Sequence, residues 1–122
     1  MSDAEQNLFE RGIELFNAGR FFACHEVWED LWRRSRDHEK VFIQGMIQAA
    51  VAILHAERGN PDGARSQYEK AIAKLRNFPD GYRGIVVARL RDDLTRFISL
   101  ATSESTDSVT AIPKIHRVNF QP

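Results

Sequence analysis

The sequence predicts an all-α fold, a compact bundle of about five helices arranged as antiparallel hairpins. Apolar residues recur with the period of an α-helix, breaks containing glycine or proline divide that pattern, and no alternating stretch of useful length predicts a strand. The chain has 122 residues, of which 43% are hydrophobic, and this is enough for one domain with a sizeable core. We expect residues 1–101 to form a single helical domain and residues 102–122 to form a loosely structured C-terminal tail.

The first two helices form the first predicted hairpin. Apolar residues at helical spacing up to Phe16 mark the first helix, and Gly19 is well placed to end it. The second helix runs from Phe21 past Trp32 into a polar segment whose basic residues suit a helix C-terminus. We expect Trp28 and Trp32 to be largely buried where this helix meets the third.

The remaining helices follow from the next breaks in the pattern. The third spans about residues 38–58 and is apolar over a wide arc, which is typical of a central helix with neighbours on several sides. In the break that follows, Asn60 is a good N-cap and Pro61 suits the first position of a fourth helix. The fourth helix ends before Asn77, and a fifth is expected to begin near Gly84.

A weak internal repeat relates the two predicted hairpins. The stretches that begin at Gly19 and Gly59 each place a small residue and then an aromatic residue at matching positions. This spacing is weakly similar to the helix pairs of tetratricopeptide repeats, and it supports helical hairpins without indicating peptide binding. Near the C-terminus, the segment 112–115 is compatible either with docking on the bundle or with fraying.

Charge and composition narrow the classes of partner. Because 17 basic and 17 acidic residues give a formal net charge of zero, nothing in the overall charge attracts nucleic acid, and we do not expect it as a partner. Cys24 is a single cysteine, and the polar N-terminus lacks the features of a signal peptide, so we expect a soluble, cytoplasmic protein. The most apolar stretch, 46–54, is too short to span a bilayer, so no membrane association is expected.

The second helix carries the most unusual polar residues. His25 and Glu29 lie one helical turn apart on a face flanked by aromatic residues, where an unpaired carboxylate would be costly. Gln44, Gln48 and His55 share a face of the third helix. We expect direct or water-bridged hydrogen bonds from the first face to at least one of these three. The candidate functional cluster consists of His25, Glu26, Glu29, Trp32, Gln44, Gln48 and His55.

Four segments in a fixed order carry a resemblance to a known family. They are Phe16–Phe22, His25–Trp32, Gln44–Ala50 and His55–Asn60. Their ordered combination resembles the DUF309 family, and the similarity extends over roughly residues 9–100. The resemblance implies a compact all-helical fold. It implies no activity, because the function of that family is unknown and no catalytic residue carries over.

Three functions remain open for the cluster. His25, Glu29 and His55 are suitable ligand types for a divalent metal, although Glu29 stands where the zinc-protease motif that begins at His25-Glu26 needs a second histidine. Acid–base catalysis by His25 with Glu26 or Glu29 lacks a nucleophile or an oxyanion site nearby in sequence. We favour a non-catalytic binding or scaffold module with a buried His/Glu/Gln network and without a cofactor, which uses an unknown protein partner or self-association. In that interpretation the cluster is a structural hydrogen-bonded network that fixes the register of the helices. The alternative is a small metal-binding protein or a metal-dependent enzyme.

Overall fold

Five α-helices account for most of the chain in a computed structural model that describes residues 1–103 and 111–119. They are α1 (Asp3–Asn17), α2 (Phe21–Arg34), α3 (Asp37–Glu57), α4 (Pro61–Leu75) and α5 (Val87–Ala101). The described residues form no strand, and one isolated antiparallel bridge joins Ile85 to Arg117. The predicted all-α fold is therefore confirmed.

The internal repeat corresponds to two helical hairpins with the same turn. Gly19 follows α1 with a φ of 76°, and Gly59 follows α3 with a φ of 73°. In this left-handed region a side chain is strained, so glycine suits both positions. The next helix begins two residues later in each case, at Phe21 and at Pro61. The repeat therefore reflects the same turn geometry in both helical hairpins.

Side-chain caps define the beginnings of two helices. The Ser2 hydroxyl accepts a hydrogen bond from the backbone N–H of Glu5, whose side chain in turn accepts one from the backbone N–H of Ser2. At α4 the Asn60 side chain accepts from the backbone N–H of Gly63, and Pro61 occupies the first turn. The predicted N-cap at Asn60 is confirmed.

Helix α3 is the central element of the bundle. It packs against α2, α4 and α5, and most of its residues between Phe42 and Ile53 are buried. Its approach to α4 is close at Gly45, where a Cβ would lie 3.1 Å from a Cδ of Leu75. Within residues 1–103 and 111–119, no helix combines the length and the apolar character that crossing a bilayer requires.

The fifth helix begins later than predicted. It starts at Val87 instead of near Gly84, because residues Tyr82–Gly84 form a separate 3₁₀ turn. Arg83 and Gly84 both adopt positive φ angles in that turn, 50° and 76°, which an α-helix does not allow. The ring of Tyr82 lies against the aromatic core, 4.7 Å between centroids from the ring of Phe42.

The C-terminal segment docks on the bundle where the structure describes it. The Asn17 side chain donates to the carbonyl of Ile115 at 3.1 Å and accepts from its N–H at 2.7 Å. Further along, the N–H of Val118 donates to the carbonyl of Gly84 at 2.9 Å. Docking is thus the outcome for the segment 112–115. Residues 104–110 and 120–122 of the predicted loose tail lie outside the described residues.

Candidate functional site

The His25–Glu29 pair lies on α2 with the geometry that the helical spacing predicts. His25 Nε2 is 2.9 Å from Glu29 Oε1, and a guanidinium nitrogen of Arg33 is 3.8 Å from Glu29 Oε2. The Glu29 side chain is 42% exposed, so the expectation of a buried carboxylate is wrong. Both carboxylate oxygens face a basic partner on the same helix. The carboxylate therefore does not need a group from α3 to compensate for burial.

A small cleft separates α2 from α3 beside this pair. Glu29, Trp32, Arg33 and Gln44 line it, and its volume is about 260 Å³. Lys40 lies on the α3 side of the same surface, with its Nζ 4.1 Å from the ring centroid of Trp32. The cleft thus presents an indole, an amide and groups of both charges. We call these five residues the seam site.

The two tryptophans of α2 differ in burial. Trp28 is fully buried, and its indole N–H donates to the carbonyl of Phe9 at 3.3 Å. Trp28 is therefore buried as predicted, but its ring packs against Phe9 and Phe16 of α1 and not at the junction with α3. Trp32 is only partly buried, so the prediction of its burial is wrong. Trp32 lies in the last turn of α2, where it faces the boundary with α3 instead of the middle of the core.

The expected direct hydrogen bonds across the second and third helices are not formed among the described residues. Gln48 instead accepts from Lys74 Nζ of α4 at 2.9 Å. His55, near the end of α3, has its Nδ1 3.1 Å from the side-chain nitrogen of Asn60. Only Gln44 of the three predicted partners faces the pair on α2, and it does so across the cleft. The wide apolar arc of α3 has neighbours on several sides, and its polar residues divide among them.

The predicted metal ligands do not come together. In the part of the chain that the structure describes, no three His, Cys, Asp or Glu side chains form a group that could hold a metal ion. His25 and Glu29 are adjacent, whereas His55 is engaged with Asn60 at the far end of α3. These positions give no geometric support to the metal-binding alternative.

Glu26 belongs to a different surface from the rest of the predicted cluster. It lines a groove between α1 and α2 with Arg11 of α1 and Asp30 of α2. Because consecutive helical residues are about 100° apart, Glu26 projects away from the side that His25 occupies. The candidate cluster is therefore divided between two sides of α2.

Sequence reasoning missed Lys40 as a member of the seam site. A simple signal was present, because α2 and α3 are joined by the two residues Ser35 and Arg36. Counting outward from this turn brings Trp32 opposite Lys40 and Glu29 opposite Gln44. The same surface continues to Phe22, which is 49% exposed and has the Arg58 guanidinium 5.6 Å from its ring centroid. Along this surface three residues of α2 lie beside residues of α3 or its end: Trp32 beside Lys40, Glu29 beside Gln44, and Phe22 beside Arg58.

A larger cavity lies elsewhere, between α5 and the C-terminal segment. Its volume is about 570 Å³, and Arg89, Asp93 and Arg96 form its α5 wall. Asp93 lies 3.7 Å from Arg89 and 3.5 Å from Arg96, which offsets much of the local positive charge. Ala111 also lines this cavity and adjoins residues outside those that the structure describes. We therefore place the candidate site at the seam.

The comparisons with known proteins agree with the sequence resemblance. Residues 9–67 match the family described as "Domain of unknown function (DUF309)". The chain is 31% identical over 88 residues to an uncharacterized protein of Aquifex aeolicus (strain VF5), which covers 71% of this chain and 26% of that protein. It is 37% identical over 62 residues to the uncharacterized protein YpuF of Bacillus subtilis (strain 168), which covers 49% of this chain and 36% of YpuF. The matched part thus spans about a quarter and about a third of these two relatives.

Proposed function

We propose, on the premise that residues 9–67 belong to the DUF309 family, that this protein is a non-catalytic recognition module. The seam site would bind one acidic side chain from a segment of a partner protein. One observation carries this proposal. Glu29, Trp32, Arg33 and Gln44 line a small cleft at the surface, and their polar groups face this cleft and not the core.

The size of the cleft favours a single side chain over a cofactor. Sites for drug-sized ligands and cofactors usually enclose about 300–1,000 Å³. The cleft of about 260 Å³ falls below that range. An indole wall from Trp32 and an amide from Gln44 supply the apolar contact and the directional hydrogen bonds that a bound side chain needs.

The local charges favour an acidic side chain. Glu29 is the seam site's carboxylate, and its two oxygens already face His25 and Arg33. Arg33 is 66% exposed, and its planar guanidinium carries five N–H donors, more than the contact with Glu29 uses. Lys40 adds a second positive charge beside Trp32. A carboxylate that enters the cleft would meet these donors and the Gln44 amide.

A binding role also fits the state of the Cys24 thiol, which adjoins the pair in sequence. Cys24 precedes His25 in sequence, but it is fully buried. Burial raises the pKa of the Cys24 thiol far above its usual range, so the reactive thiolate is not formed at neutral pH. His25 Nε2 lies 2.9 Å from Glu29 Oε1, so this nitrogen is paired with the carboxylate and not with the Cys24 thiol. These features support recognition over covalent catalysis.

The lengths of the relatives support a modular role. In both, the matched region is a minor part of a longer protein. A small helical domain within a longer chain is suited to holding a partner segment while other regions act. The partner protein is not identified; the seam site specifies only that the bound side chain is acidic.

The two tryptophans provide a built-in test by NMR. We would titrate the protein with N-acetylglutamate amide, N-acetylglutamine amide and N-acetylarginine amide, and follow both indole N–H signals. The glutamate probe should shift the signal of Trp32 most strongly and saturably, because it would sit against that ring. The signal of Trp28, which is fully buried, should stay in place.

Two matched variants locate the binding. Gln44→Ala should reduce the response of Trp32, whereas Gln67→Ala, which removes the same amide from α4, should not. No saturable shift with the glutamate probe, or a stronger shift with the arginine probe, would contradict the proposal. A zinc titration is a further arm: stoichiometric binding lost in both His25→Ala and His55→Ala would favour the metal alternative.

A further inference from the structure

The groove between α1 and α2 lies on the opposite side of α2 from the seam site. Its volume is about 420 Å³. Its apolar members are Leu8, Leu15, Ala23 and Val27, and its charged members are Arg11, Arg20, Glu26 and Asp30. Except for Leu15, the apolar members are only partly buried, so they reach the surface of the part of the chain that the structure describes.

The charges of this groove are segregated between its two walls. Arg11 projects from α1, and Arg20 lies at the turn, whereas Glu26 and Asp30 project from α2. Counting from the turn near Gly19 places Arg11 about level with the interval between Glu26 and Asp30, since each helical residue rises about 1.5 Å. A basic wall therefore faces an acidic wall at the same height.

We propose that a second copy of this chain occupies the groove and forms a symmetric dimer. A two-fold axis parallel to the helices would place α1 of each copy against α2 of the other, with antiparallel directions. Arg11 of one copy would then meet Glu26 and Asp30 of the second copy, and the same contact would occur twice. The segregated charges are complementary to themselves under this rotation, which is why we assign a second copy instead of an unrelated partner.

The ion pairs that Arg11 and Asp30 form within their own helices do not prevent them from pairing with a second copy. Arg11 pairs with Glu14 at 3.3 Å, and Asp30 pairs with Arg34 at 3.4 Å, each within one helix. All four side chains are largely exposed, and exposed pairs of this kind contribute little to stability. They can rearrange toward a second copy at small cost, while Leu8 and Val27 would leave water.

The size of the face predicts a reversible dimer. Two helices of about 15 residues present a surface about 22 Å long and 20 Å wide, or about 450 Å² in each copy. Stable interfaces usually bury about 800 Å² per partner. We therefore expect self-association that increases with protein concentration.

A charge swap tests this geometry directly. By sedimentation velocity over a range of concentrations, the wild-type chain should pass from monomer to dimer. Arg11→Glu alone and Glu26→Arg alone should each weaken dimerisation at least tenfold, because each places like charges opposite one another. An equimolar mixture of the two variants should dimerise again, since both contacts of the mixed dimer are then attractive. Circular dichroism of each variant checks that the bundle is intact.

Glu69→Arg on α4 is the matched control, because it reverses an exposed charge away from the groove. It should leave the dissociation constant unchanged. A wild-type chain that stays monomeric at every concentration, or a mixture of the two swapped variants that fails to dimerise, would overturn the proposal. This outcome is independent of the seam site, which the NMR titration tests separately through the signal of Trp32.

Discussion

Trp28 and Trp32 are the same residue type one helical turn apart on α2, and they have different surroundings. Trp28 lies over Gly12 at the junction with α1 and is fully buried. Trp32 lies at the boundary with α3, partly buried, with Lys40 above its ring. The comparison teaches that helical spacing identifies the apolar side of a helix, whereas the neighbouring helices decide which part of that side is sealed from water.

The largest expected difference is in the free energy of unfolding after truncation of each ring. Trp28→Ala should cost about 3–5 kcal/mol, because it opens a cavity in a close-packed core. Trp32→Ala should cost about 1 kcal/mol, since a partly buried ring at the surface loses less apolar contact. Denaturant unfolding followed by circular dichroism measures both. Equal losses would show that the two sites do not differ in the way described.

The junction of α1 with α2 is packed so closely that a single added methyl group should destabilise the protein. A Cβ at Gly12 would lie 1.8 Å from Trp28 Nε1, so the indole or the helix must move. Gly12→Ala should therefore lower the free energy of unfolding by about 1–3 kcal/mol, although alanine favours helices more than glycine does. Glu14→Ala, an exposed change on the same helix, is the control and should stay within about 0.5 kcal/mol of wild type. An unchanged Gly12→Ala variant would contradict this packing.

The sequence predicts the fold better than it predicts the site, for a physical reason. Helices are encoded locally, so the turn at Gly19 and the cap at Asn60 could be located from their own neighbourhoods. The late start of α5 could not, because the 3₁₀ turn depends on packing of Tyr82 against the distant Phe42.

At the site, spacing along α2 correctly pairs His25 with Glu29. Spacing along α3 could not show which way each polar residue points, because that helix has neighbours on several sides. Gln48 turned out to face Lys74 of α4, and only Gln44 faces the seam.

The attachment of the C-terminal segment should be weaker than either junction in the core. Asn17→Ala removes both hydrogen bonds to Ile115, and each is worth about 1 kcal/mol. The expected result is faster hydrogen exchange at the N–H of Val118, with little change in the helices. Asn77→Ala removes a hydrogen bond within its own helix end and is the control. If Val118 exchanges at the wild-type rate in Asn17→Ala, the segment is held by other contacts.

The smallest expected effect is the labelling of Cys24 in the native protein, which tests the contrast between core and surface. The thiol is fully buried on the core side of α2, and burial raises its pKa far above the usual range. A disulfide reagent such as Ellman's reagent should therefore react at the rate of unfolding, and rapidly once denaturant is added. Rapid labelling of the native protein would mean that this side of α2 opens more readily than the packing indicates.

The most direct measurement of the central claim compares ligand binding with stability in two variants, Trp28→Phe and Trp32→Ala. The side-chain amide signal of Gln44 reports binding of N-acetylglutamate amide in both. Trp28→Phe should be less stable than wild type but bind the probe with unchanged affinity. Trp32→Ala should remain folded and lose most of its affinity for the probe. Loss of affinity in Trp28→Phe with binding retained in Trp32→Ala would contradict the assignment of recognition to the seam site.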